Sequence, residues 1–182
     1  FNQLNNVSAF LNQELIEQAQ EYLSDLGQFL RSLLEEQNDQ TIELGSVIKQ
    51  LHAYIALQKK GSYARVEVSI DVPKELLRVR IPTGLLQPLV ENSFKYAGHE
   101  ESKAPTIHVE AHLYGEDLLT LKVEDSGYGE YSGQGGTGHG LALIQDRISF
   151  NRSRSKKPKD WTVTTSFQKE KGTVVLTMPL QE

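Results

Sequence analysis

Residues 118–125, Leu-Leu-Thr-Leu-Lys-Val-Glu-Asp, constrain the fold of this chain more than any other stretch. Leu119, Leu121 and Val123 share one face of a strand, and Thr120, Lys122 and Glu124 share the other. The strand therefore belongs in a sheet with one face covered. The same period of two puts Asp125 on the apolar side. A carboxylate there must be paired or hydrogen-bonded, because burying it bare is costly. Ser126-Gly127-Tyr128-Gly129 follows at once, and Gly135-Gly136-Thr137-Gly138-His139-Gly140-Leu141 comes shortly after. One reading of Asp125 is ordinary turn chemistry. The other is an acceptor for the exocyclic amine of a purine, with Gly127 and Gly129 leaving room for a flat base. The second glycine cluster opens a helix containing Leu141, Leu143, Ile144 and Ile148. Amides at such a helix N-terminus suit a phosphate, although so many glycines would also make a flexible surface loop. This is not a P-loop, because no Gly-Lys-Ser/Thr follows, and the glycines are too dispersed for a dinucleotide fingerprint.

An upstream helix supplies a third feature. Pro82 is expected to open it, and it runs to about Ala97. Leu85, Leu86, Leu89, Ser93 and Ala97 line one side, with Asn92 on the shoulder of that stripe. A half-buried amide oxygen can coordinate Mg²⁺, a hard ion that takes few protein ligands and completes its shell with phosphates and water. Glu91 and Lys95 stand one turn apart in the favourable order for a surface ion pair. Alternatively, Lys95 meets a phosphate and Glu91 orients a water or polarises a nucleophile. Carboxylate, glycines and amide together point to an ATP site.

Apolar residues make up 38% of the chain and charged residues 24%, which supports a core and argues against global disorder. The net charge of −5 argues against a general nucleic-acid binder. With no cysteine, disulfides and thiolate metal sites are excluded. No apolar run is long enough to span a bilayer. Phe1 is not a start methionine, so the sequence reads as part of a longer parent.

The first sixty residues have helical periodicity. A short helix over 1–11 precedes a longer one that Asn12 is expected to cap. Leu15, Ala19, Tyr22, Leu26, Phe29 and Leu33 form a seam of coiled-coil type. That seam fits either a hairpin folded onto the rest of the chain or a dimerisation hairpin. After a break at Asn38-Asp39-Gln40, a third helix carries Leu44, Val47, Ile48, Leu51, Tyr54, Ile55 and Leu57, ending at Lys59-Lys60-Gly61. From residue 64 the period is two. Strands are expected at about 64–71, 75–81, 105–114, 117–125, 161–168 and 172–179, with a further helix at about 138–151. This pattern predicts an α+β fold, a two-layer sandwich of a sheet with helices on one face, preceded by the helical hairpin. The division expected is 1–40 for the hairpin and 41–182 for the second domain. The five histidines show no metal-ligand spacing. The run Arg152, Arg154, Lys156, Lys157, Lys159 reads as a solvated turn, and Trp161 as packing.

These residues resemble the LytS-like sensor histidine kinases, which carry the GHKL (Bergerat) ATP-binding fold. Leu86-Gln87-Pro88-Leu89-Val90-Glu91-Asn92-Ser93-Phe94-Lys95-Tyr96 is similar to the family's N box. Asp125-Ser126-Gly127-Tyr128-Gly129 is similar to its G1 box, and Gly136-Thr137-Gly138-His139-Gly140-Leu141 to its G2 box. Gly172-Thr173-Val174-Val175-Leu176-Thr177-Met178-Pro179-Leu180 resembles the closing strand, and residues 23–34 the second helix. The resemblance implies that Asn92 binds Mg²⁺, that Asp125 binds the adenine amine, and that Gly127 and Gly129 shape the base pocket. It implies that Gly136, Thr137, Gly138, His139, Gly140 and Leu141 form a lid segment over the phosphates. Lys95 and Tyr96 would lie near the nucleotide, and Glu91 would help activate an acceptor imidazole. Catalysis would consist mostly of positioning and charge neutralisation around the γ-phosphoryl.

The resemblance also implies a homodimer through the N-terminal helices, a response-regulator partner, and a cytoplasmic position in a membrane-anchored bacterial parent. Phe1-Asn2 looks like the end of the family's Pro-His-Phe-Leu-Phe-Asn acceptor motif. The acceptor histidine is thus expected before Phe1, and the chain alone is expected to bind nucleotide without phosphorylating itself there. Tyr96 and Leu143 depart from the family's usual histidine and asparagine. Two alternatives stand beside this reading: a GHKL ATPase of the gyrase or MutL kind, disfavoured by the long N-terminal helices, and a non-catalytic nucleotide-sensing module.

Overall fold

The computed structural model describes residues 2–36, 39–61, 64–96, 104–126, 139–168 and 171–180. Helices α1 (Asn2–Asn12) and α2 (Ile16–Glu36) come first. Asn12 ends α1 instead of capping α2. Leu15 N–H bonds back to the Phe10 carbonyl at 2.9 Å, and Glu14, with φ of 60°, reverses the chain. Ala19, Tyr22 and Phe29 of the expected seam are buried, so this face of α2 packs within the chain. Tyr22 meets Phe10 with ring centroids 5.7 Å apart and accepts a hydrogen bond from Asn6 at 3.0 Å. Burial raises the Tyr22 pKa, and the Asn6 bond opposes that rise.

Helix α3 (Leu44–Lys60) lies against α2 and ends at Gly61, as its apolar spacing and terminal lysines predict. Phe29 of α2 stacks beside Tyr54 at 5.7 Å. Lys60 reaches Glu21 at 2.6 Å and Asp25 at 2.7 Å. A Cβ at Gly61 would sit 2.1 Å from the Asn6 amide, so any larger residue there would displace the Asn6 side chain.

Strands β2 (Glu67–Asp71), β4 (Thr106–Tyr114), β5 (Leu118–Asp125), β6 (Thr162–Gln168) and β7 (Lys171–Pro179) form one sheet in the order β2-β4-β5-β7-β6. The β4–β5, β5–β7 and β6–β7 pairs are antiparallel, and β2 pairs parallel with β4. The parallel pair needs a crossover, and α4 (Leu86–Tyr96) supplies it on the inner face. Helix α5 (His139–Arg154) packs beside α4 and against β6. Ile107, Val109, Ala111, Leu119, Leu121, Val123, Leu176 and Met178 form the sheet side of the core. Tyr54 meets Phe94 of α4 edge-on at 5.8 Å, joining α3 to the same core. The fold is the two-layer α/β sandwich of the GHKL type.

The stretch read as a strand over 75–81 folds differently. Pro73, at φ −54°, starts a 3₁₀ helix at Lys74–Arg78, closed by Leu76 N–H to the Pro73 carbonyl and Val79 N–H to the Leu76 carbonyl, both 3.0 Å. Strand pairing is confined to Arg80–Pro82, β3, which runs antiparallel to β1 (Thr41–Glu43) in a separate small sheet. Pro82 therefore ends a strand and does not open the helix. Gly84, at φ +71°, makes the turn, and α4 begins at Leu86. Pro88 lies in the first turn, where its missing N–H costs nothing. The basic run 152–159 is exposed at its charged positions, and Trp161 is buried, as expected.

Candidate functional site

Strand β5 alternates as its sequence predicts. Leu119, Leu121, Val123 and Asp125 are buried, with Asp125 7% exposed. Its cross-strand neighbours on the inner face are Ile107 on β4 and Gly172 on β7. Ile107 is an apolar wall, while Gly172 adds no side chain on the other flank. Ser126 extends the pairing with β4 by one residue past Asp125. Its N–H donates to the Thr106 carbonyl at 3.0 Å, and its hydroxyl accepts from the Thr106 N–H at 2.8 Å. Asp125 instead reaches across the layers: the Ser93 hydroxyl of α4 donates to its Oδ2 at 2.9 Å. A carboxylate has capacity for several donors.

Ser93 is 3% exposed on the apolar stripe of α4. Its role with Asp125 was not assigned from sequence. The available signal was a serine on a stripe of leucines, where only a buried acceptor would satisfy it. Asn92 is the next residue round the helix and is half-buried, on the shoulder of the stripe as read from its spacing. Its amide oxygen is a suitable hard donor for Mg²⁺, and a site with one protein ligand and several phosphate and water ligands needs no cluster of acids. Among the described residues no group of three or more acidic, histidine or cysteine side chains is arranged to hold a metal.

Glu91 lies two residues before Ser93, about 200° round the helix by the 3.6-residue turn. It is exposed, accepts from Gln87 Nε2 at 2.8 Å, and lines a cavity of about 860 Å³ between α4 and α5. Leu143, Arg147 and Phe150 line the same cavity. Ser93 and Asp125 thus meet on the inner side of α4, Glu91 lies on the far side, and Asn92 falls between the two in the helical turn. Lys95 is exposed in the last turn. Tyr96 is the final residue of α4. His139, Gly140 and Leu141 form the first turn of α5. The assignments of Gly127, Gly129, Gly136, Thr137 and Gly138 fall outside the described residues.

The outer face of the sheet carries a different kind of carboxylate. Glu110 receives Lys122 at 2.9 Å, His112 at 3.2 Å and His108 at 3.3 Å. The Lys122 bond, then His112, lowers the Glu110 pKa to about 2, against an opposing effect of burial. Glu110 and Glu124 in turn raise the Lys122 pKa. Glu124 takes Lys171 at 2.8 Å and Lys122 at 3.1 Å. Burial pushes its pKa up, but the two lysines prevail and the net shift is downward.

Residues 1–65 match the histidine kinase family. Sensor protein LytS of Staphylococcus haemolyticus is 36% identical over 129 residues, which are 71% of this chain and 22% of the relative. Sensor histidine kinase BtsS of Escherichia coli is 25% identical over 183 aligned residues, covering 100% of this chain and 31% of its own. This chain belongs to the LytS-like sensor histidine kinases. It spans between about a fifth and a third of the length of these curated relatives. Solved structures share the fold at low identity. Acinetobacter baumannii histidine kinase AdeS has a TM-score of 0.56 at 19% identity, covering 94% of this chain and 85% of that one. A histidine kinase ThkA in complex with response regulator protein TrrA has a TM-score of 0.51 at 14% identity, over 99% of this chain and 58% of that one. Among the described residues no helix of this LytS-like catalytic region is long and apolar enough to cross a membrane.

Proposed function

We propose that this chain is the ATP-binding catalytic region of a sensor histidine kinase. The observation that carries the reading is Asp125, a carboxylate buried on the inner sheet face, held by Ser93 one residue from Asn92. In this reading Asp125 accepts the adenine amine. Asn92 holds Mg²⁺ by its amide oxygen. Bound there, Mg²⁺ would supply positive charge to offset the charge on the phosphates. The N-terminal amides of α5, from His139 onward, face developing negative charge well, since they lack intrahelical partners. Gly127, Gly129, Gly136, Thr137, Gly138, Gly140 and Leu141 complete the proposed base pocket and phosphate segment, with Lys95 and Tyr96 nearby. Glu91 orients the acceptor imidazole, and the γ-phosphoryl passes from ATP to a histidine of the kinase as ADP leaves.

Assembly follows from a second face of the N-terminal helices. Leu4 and Leu11 on α1, and Ile16, Leu23, Leu30 and Leu34 on α2, are large apolar residues between 48% and 63% exposed. Their spacing of seven, with a four at the end, is that of a coiled-coil seam. Because the inward seam is already buried within the chain, this outward stripe is the surface we assign to a homodimer. The proposed division remains 1–40 and 41–182, supported by the pairing of β1 with β3 just after it. A response-regulator receiver domain is the proposed recipient of the phosphoryl group, by analogy with the ThkA–TrrA complex. The parent is proposed to be membrane-anchored with this region on the cytoplasmic side.

Leu143, 45% exposed where family members often carry asparagine, favours a second reading as a nucleotide-sensing module without transfer. Titration calorimetry with Mg-ATP tests binding. An acid-labile phosphohistidine on the full-length parent incubated with Mg-ATP decides between transfer and sensing, and no binding by the chain would remove both.

A further inference from the structure

Helices α4 and α5 carry opposite ends of the proposed nucleotide site, yet much of their contact is apolar. Ile144 and Ile148 bury the inner side of α5. Such contacts are non-directional and tolerate small sliding along the helix axis. One polar contact is directional. Arg147 Nη1 donates to the Thr83 carbonyl at 2.5 Å, in the turn between β3 and α4. Its guanidinium lies flat against Gly84: a Cβ there would be 3.1 Å from Cζ and 3.3 Å from Nη2. Gly84 also needs its positive φ of +71°, so the turn and the guanidinium fit each other only with glycine present. Thr83 is itself fixed, its N–H donating to the Gln40 carbonyl at 3.2 Å and its hydroxyl to the Asp39 carbonyl at 2.5 Å. On the helix side, Asn151 Nδ2 donates to the Arg147 carbonyl at 2.8 Å.

We propose that Arg147 is a positioning residue, a strut that sets the axial register of α5 against the turn launching α4. The proposal rests on the ATP reading above and goes beyond it. With the strut in place, the first turn of α5 keeps its distance from Asn92 and Asp125. Without it, α5 slides while the base-binding end, built on β5 and α4, stays put. Loss of the strut therefore weakens phosphate contacts and leaves base contacts intact. A purely structural residue would weaken both alike.

The test compares Mg-ATP and adenosine binding by calorimetry in the 182-residue chain, with hydrogen exchange of α5 amides alongside. Arg147→Ala is expected to lower Mg-ATP affinity about tenfold and adenosine affinity by less than about threefold. Arg147→Lys keeps a donor for the Thr83 carbonyl and should recover part of the loss. Gly84→Ala, which displaces the guanidinium from the other side, should reproduce the split. Equal losses for both ligands, or no loss for either, overturn the proposal. If the unmodified chain binds no nucleotide, the ATP reading fails on its own. Exchange then still decides the strut: faster exchange across residues 141–147 in Arg147→Ala supports it, and unchanged exchange overturns it.

Discussion

Glu124 and Asp125 are neighbours on one strand and have opposite environments. Glu124 faces out and is held by Lys122 and Lys171, while Asp125 faces in and is held by the hydroxyl of Ser93. Two lysines hold Glu124, one of them shared with Glu110, so it has a structural partner set. Asp125 lies in a covered site, with Gly172 as its cross-strand neighbour on β7. A carboxylate on the covered inner face is the one placed to receive N–H groups of a ligand, since its oxygens accept from several donors. Pleat geometry alone produces this difference, since a shift of one residue along a strand exchanges its two faces.

Breaking the inner carboxylate should have the largest effect. Asp125→Asn is expected to lower Mg-ATP affinity about a hundredfold, read by calorimetry, because the amide presents a donor where an acceptor is needed. Melting should move little, as the amide oxygen can still accept from Ser93. Asn92→Ala should come next. ATP affinity measured with and without Mg²⁺ is expected to become the same, a loss of about tenfold in the presence of the ion. Ser93→Ala sharpens the comparison further, since it removes the donor and leaves the charge. Denaturant unfolding should show a cost of about 1 kcal/mol, with weaker nucleotide binding.

The outer face should respond only to acid. Glu110 has its pKa lowered from 4.5 to about 2, so its contribution is present above pH 4.5 and is lost as pH falls toward 2. Glu110→Gln should flatten the stability profile across that window and leave nucleotide affinity unchanged. At neutral pH the cost should stay within about 1 kcal/mol, because the network is partly solvated.

Much of this contrast was legible in the sequence, because a strand's period of two is strict. Alternation over 118–125 put Asp125 inside, and the stripe on α4 put Asn92 on its shoulder. Helix α3 was equally clear, with apolar spacing and a basic end before Gly61. Local signals with two uses were harder. Pro82 can open a helix or end a strand, and its pairing with Thr41, some forty residues away, decided for the strand. Val79 and Ile81 alternate like a strand, but Pro73 set the chain into a 3₁₀ helix before them. Asn12 had the chemistry of a cap, yet Glu14 took the left-handed turn that separates α1 from α2. Ser93 was visible as a serine among leucines, but its partner lies 32 residues away and across two layers. The seam of α2 fitted either packing within the chain or dimerisation from its spacing alone, and burial of Ala19, Tyr22 and Phe29 turned that face inward and left the other stripe exposed.

The most direct test of the central claim is discrimination between Mg-ATP and Mg-ITP, which differ at the position Asp125 is proposed to read. Inosine presents a carbonyl there in place of the amine. Titrations of the unmodified chain, Asp125→Asn and Glu124→Gln would be run side by side. A strong preference for ATP in the unmodified chain and in Glu124→Gln, lost in Asp125→Asn, is the predicted result. The same preference in all three proteins would contradict the assignment of Asp125 as the base-reading carboxylate.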